Sequence, residues 1–385
     1  MKRKICKRCV YPSNHPLNLI FDDYGICSGC LVHDEKFKIN WKKKQKKLIK
    51  IVKDYKRNSG KHDCIVPVTG AKDSFFIVDY VKNILGLNPL LVNYNKHYNT
   101  IYSHKNLSKL RSTIGCSLIT LTIKPQTIKK ITKATISKLG SIYWHCIAGQ
   151  TVFPVKIACK LKIPLIIWGA HQGVDQVGMF SHNENVEMTR RYRKEHDLMG
   201  YEAEDLIGYK GLTKKDLENF FYPSDDEIQK AGVRGIYLNN YIKWDSLLMH
   251  KKMKKKYGYY QAKQSRTFDS FNDIDCNHYN GLHDYIKYLK YGYSKVHDHC
   301  TREIRLKKIS RSKSLKIIKK YKNIRPKDIN LFLNWLGVTE KWFLKEISKF
   351  NFFKKKKELK KDLLHTNCKD LRNKNYLINR GWDEK

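Results

Sequence analysis

The chain has 385 residues, with 77 Lys plus Arg against 36 Asp plus Glu and a formal net charge of +41. At roughly 100–200 residues per domain, that length predicts two or three domains. Hydrophobic residues at 41% and aromatics at 12% exclude a disordered chain. No apolar run approaches the ~20 residues that cross a bilayer, and the basic start, Met1 to Cys6, has no apolar stretch behind it. Neither a membrane span nor a signal peptide is expected, and the default is a soluble cytoplasmic protein.

The charge invites a nucleic-acid reading, but only 15 of the basic residues are Arg. A Lys excess beside abundant Asn, Ile and Tyr is what an AT-rich genome writes onto any surface, and bidentate contacts favour the guanidinium fork. Nucleic acid is therefore not an expected partner. The eleven cysteines, in a chain read as cytoplasmic, point to metal before disulfides.

Along the chain, Cys6-x-x-Cys9 and Cys27-x-x-Cys30 come first, two knuckles with 17 residues between them. That spacing matches a four-cysteine zinc ribbon, with an iron–sulfur cluster as the rival metal reading and unpaired thiols as the plain one. A closed four-thiolate site is structural. Between the knuckles a short strand is expected from Asn18 to Phe21. Residues 41–61, Lys-rich with apolar spacing at Leu48, Ile51, Val52 and Tyr55, predict an amphipathic helix ending near Gly60.

Strands then alternate with helices. Cys64–Val68, Pro89–Tyr94, Leu118–Ile123 and Ile163–Gly169 read as strands, with helices over 75–85, 103–114, 125–139 and 147–161. The pattern predicts an α/β fold with a parallel sheet covered on both faces. Ligands bind such sheets beyond the carboxyl ends of the strands, so the loops after Val68, Tyr94, Ile123 and Trp168 should ring the site. From about 250 the chain reads as helices, over 281–292, 301–321 and 326–350, with a Lys-rich tail from Lys354 to Lys361. The expected division is a cysteine module over 1–40, an α/β domain over 41–250 and a helical region over 251–385.

The first strand runs into Thr69-Gly70-Ala71-Lys72-Asp73-Ser74 and then a helix. Such a loop cradles phosphate, because its N–H groups and the helix dipole converge on one spot. Lys72 adds positive charge, Asp73 suits Mg²⁺ and Ser74 offers a hydroxyl. The plain alternative is an ordinary capped turn. The loop resembles the S-G-G-x-D-S loop of the ATP pyrophosphatase (PP-loop) superfamily, which implies a sheet of the adenine-nucleotide alpha-hydrolase type and cleavage of ATP between its α and β phosphates. Thr69 keeps the hydroxyl of the usual Ser. Ala71 replaces the usual second Gly, where a methyl either crowds a phosphate or strains a positive φ.

Further motifs follow: Tyr143-Trp-His-Cys146, Gly149 to Pro154, Ile166 to His182, Glu187 to Arg193, Glu195 to Gly200, Gly235 to Asn240, Gly281 to Lys290 and Asp298 to Arg305. Joined to the cysteine knuckles, this series resembles the N-acetyl sugar amidotransferase family of surface-polysaccharide and flagellin-glycan pathways, from residue 1 to about 345. The resemblance implies conversion of a sugar acetamido group to an acetamidino group, on a nucleotide-linked hexuronate or a nonulosonic acid of the pseudaminic or legionaminic type. It implies ATP, Mg²⁺ and structural Zn²⁺ as cofactors. It also implies ammonia from a separate glutaminase subunit, with a cyclase-like channelling partner as a further candidate.

The site expected from these readings is specific. Thr69 to Ser74 hold ATP, with Trp168 and Gly169 beside them, and Lys72, Asp73 and His171 act on the reaction. Gln172, Asp175, Gln176, Arg190 and Arg191, with Arg193 nearby, face the substrate; a solvated helix face is the plain reading of the arginines. His278, His283, Asp284, His297, His299 and Cys300 fit no metal spacing, so packing and hydrogen bonding are expected of them. Two other functions compete: a tRNA-modifying PP-loop enzyme of the thiolation or lysidine type, and a scaffold whose loop Ala71 has silenced. Cys64, Cys116, Cys146 and Cys159 are scattered singly, unlike the cysteines of sulfur transfer.

Overall fold

A computed structural model of the chain describes residues 4–17, 19–57, 60–97, 99–270 and 278–350. Five parallel strands form one sheet in the order β3-β2-β1-β4-β5. They are β1 Cys64–Pro67, β2 Pro89–Tyr94, β3 Leu118–Leu121, β4 Leu165–Trp168 and β5 Arg234–Tyr237. The fold class is the one expected, a parallel α/β sheet. Strand order reverses between β1 and β4, so the loops after them part at that point and leave a crevice at the carboxyl ends.

The amino-terminal module carries α1 Ser28–Glu35, followed by α2 Trp41–Lys53. Around the sheet lie α3 Lys72–Asp79, α4 Ile101–Ile114, α5 Pro125–Leu139 and α6 Trp144–Leu161. Short helices α7 Gln172–Asp175, α8 Arg190–Tyr192 and α9 Lys214–Leu217 precede α10 Asp225–Ala231. Beyond β5 come α11 Ser246–Tyr257, α12 Asn280–Tyr291, α13 Lys295–Arg305, α14 Arg311–Tyr321, α15 Ile329–Leu336 and α16 Glu340–Ser348. Among the described residues no helix is long and apolar enough to cross a membrane.

The core explains these elements. Strands β1, β2 and β4 are buried along nearly their whole length, which is why they read as plain apolar runs. One face of the sheet packs Val66, Leu91 and Ile167 against Phe75 and Val78 of α3 and Met253 of α11. The other packs Ile65, Val92 and Ile166 against Val152 and Val155 of α6.

Several boundaries differ from the sequence reading. The first long helix stops at Lys53, well before Gly60. The expected helix over 301–321 is two, split where Lys307 takes φ 58° and Ser310 caps the second. The one over 326–350 breaks at Gly337, φ 70°, which only a left-handed turn allows. The expected strand from Asn18 begins outside the described residues, and Phe21 makes only an isolated bridge with Cys27. The Lys-rich tail also lies outside them.

Candidate active site

The loop after β1 is built around Gly70, at φ +81°. A Cβ there would meet the Leu107 backbone nitrogen at 3.2 Å and the Ser103 carbonyl at 3.3 Å, so glycine lets the loop approach α4. Ala71 sits at φ −77°, ψ 171°, ordinary extended backbone. The strain expected of Ala71 is therefore absent: the positive φ falls one residue earlier. The Thr69 N–H donates to Ser74 Oγ at 3.0 Å, which closes the loop. Helix α3 starts without a side-chain cap, so its first N–H groups remain available to an anion. Lys72 Nζ, 1% exposed, is ion-paired with the Asp73 carboxylate, which is 48% exposed.

Beside the loop, a small pocket opens between the carboxyl ends of β1 and β2, lined by Thr69, Asn93, Asn95, Lys96, Asn99 and Ser103 among others. Asn93 Nδ2 donates to the Val68 carbonyl at 2.7 Å and fixes the two strand ends together. Asn95 Oδ1 accepts from Asn99 Nδ2 at 2.6 Å and from the His97 N–H at 3.0 Å. Lys96 Nζ donates to the Tyr143 hydroxyl at 2.7 Å. Of these, Asn93, Asn95, Lys96, Asn99 and Ser103 are not among the site residues expected from sequence, although the polar run directly after a buried strand is a signal.

On the other side of the crevice stand β4 and β5. His171 is buried, its N–H donating to Asn239 Oδ1 at 3.1 Å. Its ring lies 4.2 Å from Tyr192, 4.7 Å from Tyr237 and 5.5 Å from Phe180, centroid to centroid. Burial lowers its pKa to about 3, so the imidazole is neutral. Neither ring nitrogen has a partner among the described residues, nor does Trp168 Nε1. Asp197, charge-coupled to the same tyrosines, has its carboxyl pushed up to about 7 by burial, against a smaller opposing pull from Arg193. Asp197 lies within the Glu195 to Gly200 motif.

The expected substrate groups divide. Arg190 Nη2 binds Glu202 at 2.7 Å and Glu204 at 3.3 Å, and Arg191 Nε binds Glu195 at 2.9 Å. Both are thus engaged by neighbouring carboxylates. Arg193 is buried, with Nη2 on Glu202 at 2.7 Å and the guanidinium 4.5 Å from the Tyr222 ring. Its Nε and Nη1 find no acceptor among the described residues. Gln172 is exposed. Asp175 is ion-paired with Lys36, and Gln176 Nε2 donates to the Tyr11 hydroxyl at 3.0 Å. Those two side chains join the segment after β4 to the cysteine module.

Cys6, Cys9, Cys27 and Cys30 are buried, and their sulfurs all lie within 4.8 Å of one another. Cys9 and Cys27 Sγ are 3.6 Å apart. A tetrahedral ion with Zn–S bonds of about 2.3 Å sets sulfurs about 3.8 Å apart. The donor set therefore fits one tetrahedral ion, whereas a cluster that gives each thiolate its own iron needs a wider cage.

The carboxyl-terminal polar residues are used in packing. His297 closes a capping box with Ser294, and His299 Nδ1 lies 2.7 Å from Thr267 Oγ1. Asp284 pairs with Arg266 at 2.7 Å, Cys300 Sγ donates to the Ser314 carbonyl at 3.7 Å, and His283 stacks on Tyr143 at 4.4 Å. His278 lies 3.4 Å from Asp328.

Fold and site together define a parallel α/β protein with an amino-terminal four-cysteine module and a helical carboxyl-terminal region. Residues 256–372 match the family described as "LPS biosynthesis protein WbpG-like, C-terminal domain". That match supports the resemblance over the carboxyl-terminal part of the motif series. An uncharacterised protein of Methanocaldococcus jannaschii is 31% identical over 93 residues, which is 24% of this chain and 33% of that protein. The chain thus spans about a third of the length of that curated relative. Two solved structures overlap loosely. The NH3-dependent NAD synthetase of Campylobacter jejuni in complex with nitrate has 15% identity and a TM-score of 0.29, covering 75% of this chain and 99% of that one. The U34-tRNA thiolase NcsA of Methanococcus maripaludis with its [4Fe-4S] cluster has 11% identity and a TM-score of 0.26, covering 93% and 100%. At those scores neither overlap bears on function.

Proposed function

We propose that the protein is an ATP-dependent N-acetyl sugar amidotransferase of surface-polysaccharide biosynthesis. It would convert a sugar acetamido group to an acetamidino group, with a nonulosonic acid of surface glycans or flagellin as the substrate class. The observation that carries this reading is the Thr69–Ser74 loop at the switch point of the sheet, on a chain whose residues 256–372 match an LPS-biosynthesis domain.

An amide carbonyl is a poor electrophile, so its oxygen must first become a leaving group. That oxygen attacks the α-phosphorus of ATP, pyrophosphate departs, and an O-adenylyl imidate remains. Ammonia then adds at the imidate carbon and expels AMP, leaving the amidine. The chain's contribution is alignment and charge stabilisation. The Gly70 turn and the uncapped start of α3 receive phosphate, and Lys72 neutralises charge that develops there. Asp73 would hold Mg²⁺, which supplies further charge neutralisation on the phosphates when bound. Arg193, with two unpartnered donors, faces the anionic sugar. Neutral His171, with both ring nitrogens unpartnered among the described residues, would hydrogen-bond the incoming ammonia.

The sulfur spacing supports zinc at the four-cysteine centre, closed and structural. Ammonia would come from a separate glutaminase subunit, with a cyclase-like channelling subunit between the two. The test is pyrophosphate release with ATP, ammonium and a panel of acetamido nonulosonates and nucleotide-linked acetamido hexuronates, read beside a mass spectrum of the sugar. Pyrophosphate together with a sugar in which NH replaces oxygen is expected. Silence across the panel would sink the proposal.

A further inference from the structure

Arg305, the last residue of α13, is 2% exposed and reaches out of the carboxyl-terminal region into the four-cysteine centre. Its Nε donates to Cys30 Sγ at 3.4 Å and its Nη2 to Cys27 Sγ at 3.6 Å. Its Nη1 donates to the Gln176 carbonyl at 2.6 Å and approaches the Asp175 carbonyl at 3.5 Å, both in the segment after β4. The guanidinium also lies 5.4 Å from the centre of the Tyr11 ring.

The donors to the four sulfurs are unevenly shared. Cys6 Sγ accepts from the backbone N–H groups of Cys9 at 3.4 Å and Cys27 at 3.3 Å, and Cys9 Sγ from that of Tyr11 at 3.5 Å. Among the described residues, Cys27 and Cys30 receive an N–H from Arg305 alone. A buried cation is costly without an anion beside it, and among the described residues Arg305 pairs with no carboxylate. Four thiolates around a divalent ion carry a net double negative charge. The buried cation and the buried anionic centre therefore answer each other.

The packing is built to admit this arginine. A Cβ at Gly29, inside the second knuckle, would fall 2.3 Å from Arg305 Nη2 and 2.6 Å from the Gln176 carbonyl. A Cβ at Gly178 would fall 2.4 Å from the Ser28 carbonyl, and Ser28 Oγ donates to the Val177 carbonyl at 2.7 Å. Knuckle, arginine and residues 175–178 form one seam, four residues beyond His171.

We infer that Arg305 is the counter-charge of the four-thiolate centre and ties its metal occupancy to the position of the loop that follows β4. Arg305 acts through the thiolates and is a positioning residue. The inference rests on the reading of the cysteines as a metal centre. Partners of this kind around metal ligands change affinity about 10–100-fold when removed.

The experiment uses the full chain loaded with zinc, in the parent, R305M and R305K forms. Zinc loss to a competing chelator is followed, with amide hydrogen exchange over residues 172–178 and the thiolate-to-metal absorption of the cobalt-loaded proteins. In R305M, zinc should pass to the chelator about 10–100-fold more readily. The cobalt band should shift, and exchange over 172–178 should rise toward that of metal-free parent. R305K keeps the charge but not the fork, so it should fall between; it also remains informative should R305M not fold. Equal zinc retention and an unmoved cobalt band in R305M would overturn the counter-charge role. Unchanged exchange over 172–178 despite weaker zinc binding would overturn the tie to the loop. Metal analysis of the parent separates the two readings: parent protein that holds no metal defeats the centre itself.

Discussion

The two charged centres of this molecule are built in opposite ways. In the cysteine centre every sulfur has a hydrogen-bond donor, the neighbouring cation is buried, and glycines at 29 and 178 bring the walls together. Across the sheet's crevice the reverse holds. The start of α3 has no side-chain cap, Asp73 stays half exposed, and the buried rings and forks of His171 and Arg193 keep donors unpaired among the described residues. Buried polar groups are normally satisfied, and the unpaired donors of His171 and Arg193 are the ones the proposed substrate would meet. A closed centre stabilises the fold; an open one is left for chemistry.

The largest expected effect tests the closed half. Cys27→Ser, or chelation of the parent, should cost most of the order in the amino-terminal module, since structural zinc in small modules contributes about 10–16 kcal/mol of apparent binding free energy. The expected readouts are a large fall in melting temperature and exposure of the seam to protease. If metal-free and loaded protein melt together, the contrast between the two centres collapses.

Next comes the open half. Asp73→Asn should lower pyrophosphate release by about 10²–10³-fold, the scale of one lost charge-stabilising group. It keeps a polar partner for buried Lys72, so the melting temperature should hardly move. Undiminished turnover would remove Asp73 from the phosphate chemistry.

What the sequence revealed follows the same division. The phosphate loop and the knuckles were legible because their chemistry is local, with every group inside six or about thirty consecutive residues. β5 was hidden: Arg234-Gly-Ile-Tyr237 is four residues long, with only its two central residues fully buried, so it shows no apolar run. Asp197 and Arg305 could not be read as site residues for another reason. Both depend on partners distant in the chain, Asp197 on Tyr237 and Arg305 on Cys27 and Cys30, and no spacing rule records that. The pairing of Asp175 with Lys36 and of Gln176 with Tyr11 was hidden for the same cause.

Asp197 offers a smaller and more selective test. In the folded chain burial holds its carboxyl at about 7, against about 3.9 for an unperturbed Asp. Between those values the folded state keeps a proton that the unfolded state releases, so stability falls as pH rises through this window. Asp197→Asn removes the titration. Its melting temperature relative to the parent should therefore climb from about pH 5 to about pH 8, by on the order of 1 °C or more. A difference that stays flat with pH would show that Asp197 does not hold its proton as described above.

The smallest expected effect decides whether the loop is silenced. Ala71 caps α3 at φ −77° and ψ 171°, a conformation open to any residue, so its methyl stores no backbone strain. Replacing it by glycine has two opposing consequences. Glycine is the better amino-terminal cap by some tenths of a kcal/mol up to about 1, while its freer unfolded state costs about 0.4–1 kcal/mol. Ala71→Gly should accordingly change stability by no more than about 0.5 kcal/mol and turnover by no more than about twofold, about 0.4 kcal/mol of barrier. A tenfold gain in pyrophosphate release would mean instead that the methyl stands where a phosphate should lie. The loop would then be an attenuated one, and the open centre would owe its unpaired donors to lost function and not to a waiting substrate.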